Sequence, residues 1–420
     1  MGDFIEFLYS RFLLSDGVSI DTRTIEPNNL FFSISGPNFN ANQFAKEALN
    51  KGAAYAVVDD EKFVTDDRII LAKDCLKALQ DLASFHRARF KRPVLAITGS
   101  NGKTTTKELI SKVLSEAYII HATKGNYNNH IGVPLTLLHI HPQVEIAIIE
   151  MGANHVGEIA SYCEVAMPTH GLITNIGRAH TETFGGIEGV IRGKSELFDY
   201  LRKNNGTVFI NDSDSVLSNM SKRFESPIHF PDSDLELKSA LPSVTISLDS
   251  AIQETQIIGR YNFSNIAAAV SIGRYFEVPD SKILNALGKY SSENARSQII
   301  KQGSVTIILD AYNANPDSMK VALENLAENE GKKVAILGDM NEVENSDSQH
   351  AELLDHAADL GIDRILTVGD KIGRVAKANS HSNSKEELVE KLKSIDLTNA
   401  TVLLKASRSI KLESILNSIS

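Results

Sequence analysis

The sequence predicts an α/β protein of three successive domains with a mostly parallel sheet at its centre. Two observations carry that expectation. Short, near-continuous apolar runs alternate with helix-compatible segments at residues 94–97, 146–149, 171–174 and 208–210, and again at 305–309, 333–337, 364–368 and 402–405. Strands buried on both faces and joined through helices read this way. The length of 420 residues also exceeds what one hydrophobic core serves and allows each of two or three domains its own.

In chain order, residues 1–87 read as a small N-terminal α/β domain. They hold an amphipathic run at 4–14, a short strand at 30–34, a helix pattern at 44–50 stopped by Gly52, and a strand at 55–58. Residues 88–293 read as a central, P-loop ATPase-like domain, closed by a long helix at 263–276 and the stop signal Val278, Pro279, Asp280. Its polar stretch 231–242 is expected to be a surface loop. Residues 294–420 read as a doubly wound, Rossmann-like C-terminal domain, with the boundary within 291–295. A large ligand is expected where such modules meet.

Composition excludes some functions. Lys plus Arg number 43 against 53 Asp plus Glu, a net charge of −10, so the chain lacks a nucleic-acid footprint and any anionic ligand must be held by local basic residues. Cys75 and Cys163 fit no metal spacing and read as buried thiols of a reducing cytosol, which makes the expected location cytoplasmic. No leader pattern and no apolar run of membrane-spanning length appears, so no membrane insertion is expected. A monomer is the default for such a self-contained chain.

The segment TGSNGKTT at residues 98–105 stands between a buried strand and a helix-compatible run at 108–117. That context makes it a phosphate cradle. Gly99 and Gly102 allow the tight turn that aims backbone N–H groups inward, and the helix starting near Lys103 adds the positive end of its dipole. Lys103 then reaches terminal phosphates and the Thr104 hydroxyl ligates Mg2+, with Ser100, Asn101 and Thr105 completing the loop. Ile97 stands where the longer pattern has Gly or Ala, so this is the short GxxGKT variant.

Glu150, at the end of the strand 145–149, faces the crevice onto which that loop opens and offers Mg2+ a carboxylate. The run 174–180 delivers His180 to the same edge, while Lys194 falls in a helix pattern where composition alone makes a lysine solvated. The run 310–319 sets Asp310, Tyr312, Asn313 and Asn315 at the tip of a further strand, with Pro316 opening a helix.

Together these segments resemble the Mur ligases over residues 21–413. The loop at 98–105 matches their ATP loop, Glu150 their acidic Mg2+ ligand, and GRAH at 177–180 their GxAH segment. Lys194 matches the lysine that reacts with CO2 to form a metal-bridging carbamate. The runs KGNYNNHIGVP at 124–134 and YNANP at 312–316 match the member that adds D-alanyl-D-alanine; further matches are 337–340, His350 and 405–408. Two positions depart: Tyr261 stands where the family commonly has His, and Ser35 where Lys is frequent.

The resemblance implies the three-domain Mur ligase architecture. It implies an ATP-dependent amide-bond ligase that adds D-alanyl-D-alanine to UDP-N-acetylmuramoyl-tripeptide through an acyl phosphate, releasing ADP and phosphate, in peptidoglycan synthesis. Lys103 and two Mg2+ ions would neutralise the reacting anions, with Thr104 and Glu150 at one ion and His180 and carbamylated Lys194 at the other. Asn262, Asn265, Arg296, Asp310 and Tyr312 are implied at ATP, and Thr22, Arg23 and Asn42 at the uridine nucleotide. Asn313 and Asn315 are implied at the intermediate or the dipeptide, with Asn126, Asn128 and Asn129 as further substrate contacts. The C-terminal domain is expected to close onto the central one when ATP binds. The third residue of the tripeptide, of diaminopimelate or lysine type, stays open.

Overall fold

A computed structural model of the chain describes residues 2–292, 296–341 and 343–419. The expected boundary at 293/294 falls outside the described residues. The helix Gly2–Leu13 buries Ile5, Leu8 and Phe12 along one face. It leads into a four-stranded parallel sheet in the order Gly17–Ser19, Asn29–Phe32, Tyr55–Val58, Ile69–Leu71.

The helix Cys75–Arg87 begins where the Asp74 carboxylate accepts the Lys77 N–H, satisfying one of the donors a helix start leaves open. It joins two sheets into one core: Leu30 of the first sheet, Leu79 and Leu82 of the helix, and Val94 of the second belong to the same apolar cluster. Both cysteines are free and buried, and burial pushes both thiols well above the ordinary cysteine range.

The central sheet has six strands, all parallel, in the order Ile228–Phe230, Thr207–Asn211, His170–Ile173, Val94–Thr98, Ile146–Glu150, Ile120–Ala122. Helices cover both faces, which is why these strands carry unbroken apolar runs. The chain leaves Val94–Thr98 toward one side of the sheet and later returns to the other, so the crevice at the carboxyl end of that strand is the topological switch point.

One expectation fails in this domain. The stretch 231–242 contains the strand Leu235–Ser239, paired antiparallel with Thr245–Leu248, which pairs in turn with Ala251–Glu254. Leu235 is buried and Leu237 half-buried, while Glu236 and Lys238 between them are exposed. The charged pair hid a period of two.

The C-terminal sheet runs Gln298–Gln302, Val305–Asp310, Ala400–Lys405, Lys332–Gly338, Arg364–Val368, His381–Ser382. Its first pair is antiparallel and the rest are parallel, with apolar clusters on both faces. The half-buried edge strand Gln298–Gln302 was not anticipated. No helix among the described residues is long and apolar enough to cross a membrane.

Candidate active site

The two sheets face each other across a cleft of about 810 Å3, reached by both the 98–105 loop and the 310–318 run. The strand Val94–Thr98 is buried throughout and delivers the chain to Gly99 at φ +144° and Gly102 at φ +76°. A Cβ at Gly99 would fall 2.0 Å from Thr174 Oγ1, and one at Gly102 2.7 Å from Asn265 Oδ1, so both the conformation and the space require glycine. The helix Lys103–Leu114 has no side-chain cap, which leaves the first-turn N–H groups at Lys103, Thr104 and Thr105 beside the cleft.

The cradle differs from expectation in which N–H groups remain available. The Ser100 and Asn101 N–H groups donate to the carbonyl and the side-chain oxygen of Asn175, each at 3.0 Å. Ser100 Oγ donates to the Gly177 carbonyl and accepts the Gly177 N–H, both at 2.9 Å. The loop tip is therefore braced on the loop after the neighbouring strand, and the helix start is the anion-facing part. Asn175 was missed as a site residue, although it stands in the run leading to His180.

Lys103 is half-buried, and its Nζ donates to the carbonyls of Gly99 at 2.7 Å and Ser100 at 3.1 Å. Burial is the main force lowering its pKa to about 8; the Arg296 charge adds to it and Glu150 opposes it.

Glu150 is fully buried at the end of the strand Ile146–Glu150. The Thr104 hydroxyl lies 3.0 and 2.9 Å from its two oxygens, Asn128 Nδ2 donates to Oε1 at 2.8 Å, and the Glu150 N–H donates to Thr123 Oγ1 at 3.0 Å. Lys107 completes this shell: Nζ stands 3.6 Å from Glu150 Oε2 and donates to the Thr123 carbonyl at 2.7 Å. Sequence reasoning missed Lys107. Its only signal was a lysine four residues after Lys103 on the helix face that also buries Ile110 and Leu114.

Lys107→Met is expected to cost about 3–5 kcal/mol of stability, since it leaves a buried carboxylate without its cation. Urea unfolding measures this, and a loss under about 1 kcal/mol would show the pair to be dispensable.

A carboxylate, a hydroxyl and space for phosphate oxygens form a hard donor set of the kind Mg2+ takes. Among the described residues no group of three His, Cys, Asp or Glu side chains could hold a metal alone, so ligand or water oxygens would complete such a site.

His180 lines the same cleft, in the left-handed conformation at φ 56° ahead of the helix Thr181–Phe184. Lys194 overturns its composition-based reading as a solvated helix lysine. It is 1% exposed in the helix Ile187–Lys203, with Nζ donating to the Ala153 carbonyl at 3.0 Å and lying 5.1 Å from the centre of the Phe184 ring. Burial, and next the charge of Lys103, push its pKa well below the lysine range, against Glu158 and Glu196. Lys194 stands behind the wall, since Ala153 and Glu158 line the cleft and Lys194 does not.

From the C-terminal side come Asp310, Tyr312, Asn313 and Asn315. The Asp310 carboxylate is held by buried Lys405 at 2.5 Å and accepts the Ser297 N–H at 3.2 Å. The Arg296 guanidinium lies 3.7 Å from the centre of the Tyr312 ring. Tyr261, at the family's usual His position, has its hydroxyl 2.5 Å from Ser297 Oγ.

Asn262 and Asn265 line the cleft, but their amides also act as braces. Asn262 donates to the Ile258 carbonyl at 2.8 Å and accepts from Asn265 at 2.7 Å, and Asn265 accepts the Thr106 hydroxyl at 2.9 Å. Asn126, Asn128 and Asn129 also line the cleft, and Asn129 Oδ1 accepts the N–H groups of Ile131 and Gly132.

Thr22, Arg23 and Asn42 are not among the lining residues. Arg23 is exposed and paired with Asp21 at 2.6 Å, while buried Asn42 exchanges hydrogen bonds with Asp59 at 2.7 and 2.9 Å. Ser35 Oγ accepts the Ala41 N–H at 2.9 Å within its own loop. Asp317 and Arg408 line the cleft without having been expected there.

Residues 97–273 match the Mur ligase middle domain, and residues 295–408 match the glutamate ligase domain of the Mur ligases. The UDP-N-acetylmuramoyl-tripeptide--D-alanyl-D-alanine ligase of Bacillus subtilis is 34% identical, over 96% of this chain and 93% of its own length. Its Escherichia coli counterpart is 32% identical over the same shares. Among solved structures, MurF from Acinetobacter baumannii aligns with a TM-score of 0.86 at 28% identity, covering 96% of this chain and 92% of that one. The MurF ligase of Thermotoga maritima in complex with ADP aligns with a TM-score of 0.85 at 26% identity, covering 97% of each.

Proposed function

The chain belongs to the Mur ligases, and we infer from this that it joins D-alanyl-D-alanine to UDP-N-acetylmuramoyl-tripeptide with consumption of ATP, forming a pentapeptide precursor of peptidoglycan. The observation that carries the reading is the meeting of Lys103, Thr104 and Glu150 at one end of a cleft whose other wall is the C-terminal domain.

In the first step a terminal carboxylate oxygen of the tripeptide attacks the γ-phosphorus of ATP, the β–γ bond breaks, and ADP leaves. In the second, the dipeptide amine attacks the acyl phosphate carbonyl, the C–O bond to phosphate breaks, and the amine loses a proton. Two anions must touch in the first step. Lys103, released from the Gly99 and Ser100 carbonyls, offsets that repulsion together with the first-turn N–H groups of its helix. Bound Mg2+ supplies further charge neutralisation at the phosphates, and Thr104 and Glu150 are the side chains that would hold it.

His180 and Lys194 form the second candidate ligand pair. Carbamylation of Lys194 requires a neutral amine, whose lone pair adds to CO2 as one proton is lost. The buried position of Lys194 supports that reading, because burial disfavours its ammonium form. Arg296 and Tyr312 are the candidate ATP contacts from the C-terminal domain. The uridine nucleotide is assigned to the N-terminal domain near Thr22 and Arg23. A monomer in the cytoplasm is the assembly and location we assign.

The test is phosphate release with Mg-ATP and the nucleotide tripeptide, with and without D-alanyl-D-alanine, and with D-glutamate or single D-alanine as alternative acceptors. Dipeptide-dependent release with a pentapeptide product by mass is expected. ATP binding without turnover on any acceptor would leave a nucleotide-binding protein instead.

Nucleotide affinity is expected to depend on pH through Lys103. Its pKa of about 8 in the free cleft rises when phosphate displaces the carbonyls, so binding takes up a proton above pH 8 and weakens as pH climbs toward 10. Below that range this group contributes no slope. Calorimetry at pH 8.5 in buffers of different ionisation heat checks it; equal heats in all buffers would remove Lys103 from the phosphates.

A further inference from the structure

The helix Pro316–Ala327 docks its first turn on the central domain through two side chains. Asn315, 5% exposed, caps this helix by accepting the Ser318 N–H at 2.9 Å, while its Nδ2 donates to Asn101 Oδ1 at 2.7 Å. Both ends of that amide are thus engaged. Asp317 Oδ2 accepts the Arg178 N–H at 2.7 Å. Asn101 precedes Gly102 and Lys103, and Arg178 stands two residues before His180, so one helix start touches both loops that carry the candidate phosphate and metal residues.

Gly177 supplies a separate observation. A Cβ there would lie 2.8 Å from Asp317 Oδ2, whereas its other neighbours, Asn101 Nδ2 and Ser100 Cβ, stand at 3.5 and 3.6 Å, which is ordinary contact. Gly177 has no positive φ to require glycine. The close fit at this position therefore comes from the docked C-terminal domain.

We propose that Asp317 and Asn315 are positioning residues, a latch that seats the C-terminal domain on the phosphate loop and aligns Lys103 with the loop of His180. Asn315 serves docking in this arrangement, in place of the substrate contact expected for it. The kinetic arm of the test rests on the ligase reading; the scattering arm does not.

Full-length Asp317→Ala, Asp317→Asn, Gly177→Ala and the Asp317→Ala/Gly177→Ala double variant are compared by small-angle scattering with Mg2+ and a non-hydrolysable ATP analogue and by steady-state kinetics. The wild type and Asp317→Asn, whose amide oxygen still accepts the Arg178 N–H, are expected to stay compact. Asp317→Ala and Gly177→Ala are expected to show a larger radius of gyration and to lose about tenfold in kcat/KM for ATP, the scale of one charge-assisted hydrogen bond. Gly177→Ala should add nothing once Asp317 is alanine, because its clash is gone. Wild-type scattering and kinetics for Asp317→Ala, additive losses in the double variant, or a wild-type chain that stays extended with the ATP analogue bound would each overturn the latch. If no protein turns over, wild type included, the ligase reading fails and scattering alone decides the latch.

Discussion

Lys103→Ala is expected to lower kcat on the order of a thousandfold or more while leaving the fold intact. The size follows from what is removed, a fixed positive charge at the point where two anions must meet. The fold should survive because Lys103 is half-buried, belongs to no apolar cluster, and among the described residues bonds only to the carbonyls of Gly99 and Ser100. Gly102 and Asn265, which set the turn itself, are untouched by the change. Phosphate release and thermal unfolding read the two effects separately. Turnover near wild type would end the phosphate assignment, and a large drop in melting temperature would move Lys103 from chemistry to structure.

The second large effect is expected at Lys194. Lys194→Met keeps a buried apolar stem and removes the amine that lies over the Phe184 ring, so kcat should fall about a hundredfold or more with stability equal to or above wild type. That combination has a physical cause. A desolvated ammonium is costly to hold, and an apolar replacement of similar volume often stabilises such a position. A merely structural lysine would instead lose stability along with activity. Carbon-13 NMR under labelled CO2 should show a carbamate signal in the wild type that the Met variant lacks; unchanged kinetics in that variant would leave Lys194 a packing residue.

Much of the site was legible along the chain because its chemistry is local. A buried strand, two glycines and an uncapped helix start at 94–114 occur within a few residues of each other, and backbone geometry turns that order into an anion site wherever it folds. Glu150 was legible for a similar reason: a carboxylate at the end of an unbroken apolar strand must emerge at the sheet's carboxyl edge. The strand Leu235–Ser239 was not, because two charged residues on its exposed face imitate a loop.

Lys107, Asn175 and Asp317 were illegible on other grounds. Each acts on a partner far away in the chain: Lys107 on Glu150, Asn175 on Asn101, Asp317 on the Arg178 N–H. By itself each has an ordinary local reading, as a helix lysine, a turn asparagine and a first-turn aspartate. Lys194 shows the same division, since its helix was foreseeable and its burial against Ala153 and Phe184 was not.

The sequence by itself determined the sheet-and-helix order, the phosphate loop and the family, because these depend on neighbours along the chain and on motifs of fixed spacing. The tertiary structure alone decided which side chains became buried counter-ions, which loop N–H groups remained open to an anion, and where the C-terminal domain rests. Those outcomes depend on desolvation and on contacts between segments that only the packed sheets bring within hydrogen-bonding reach.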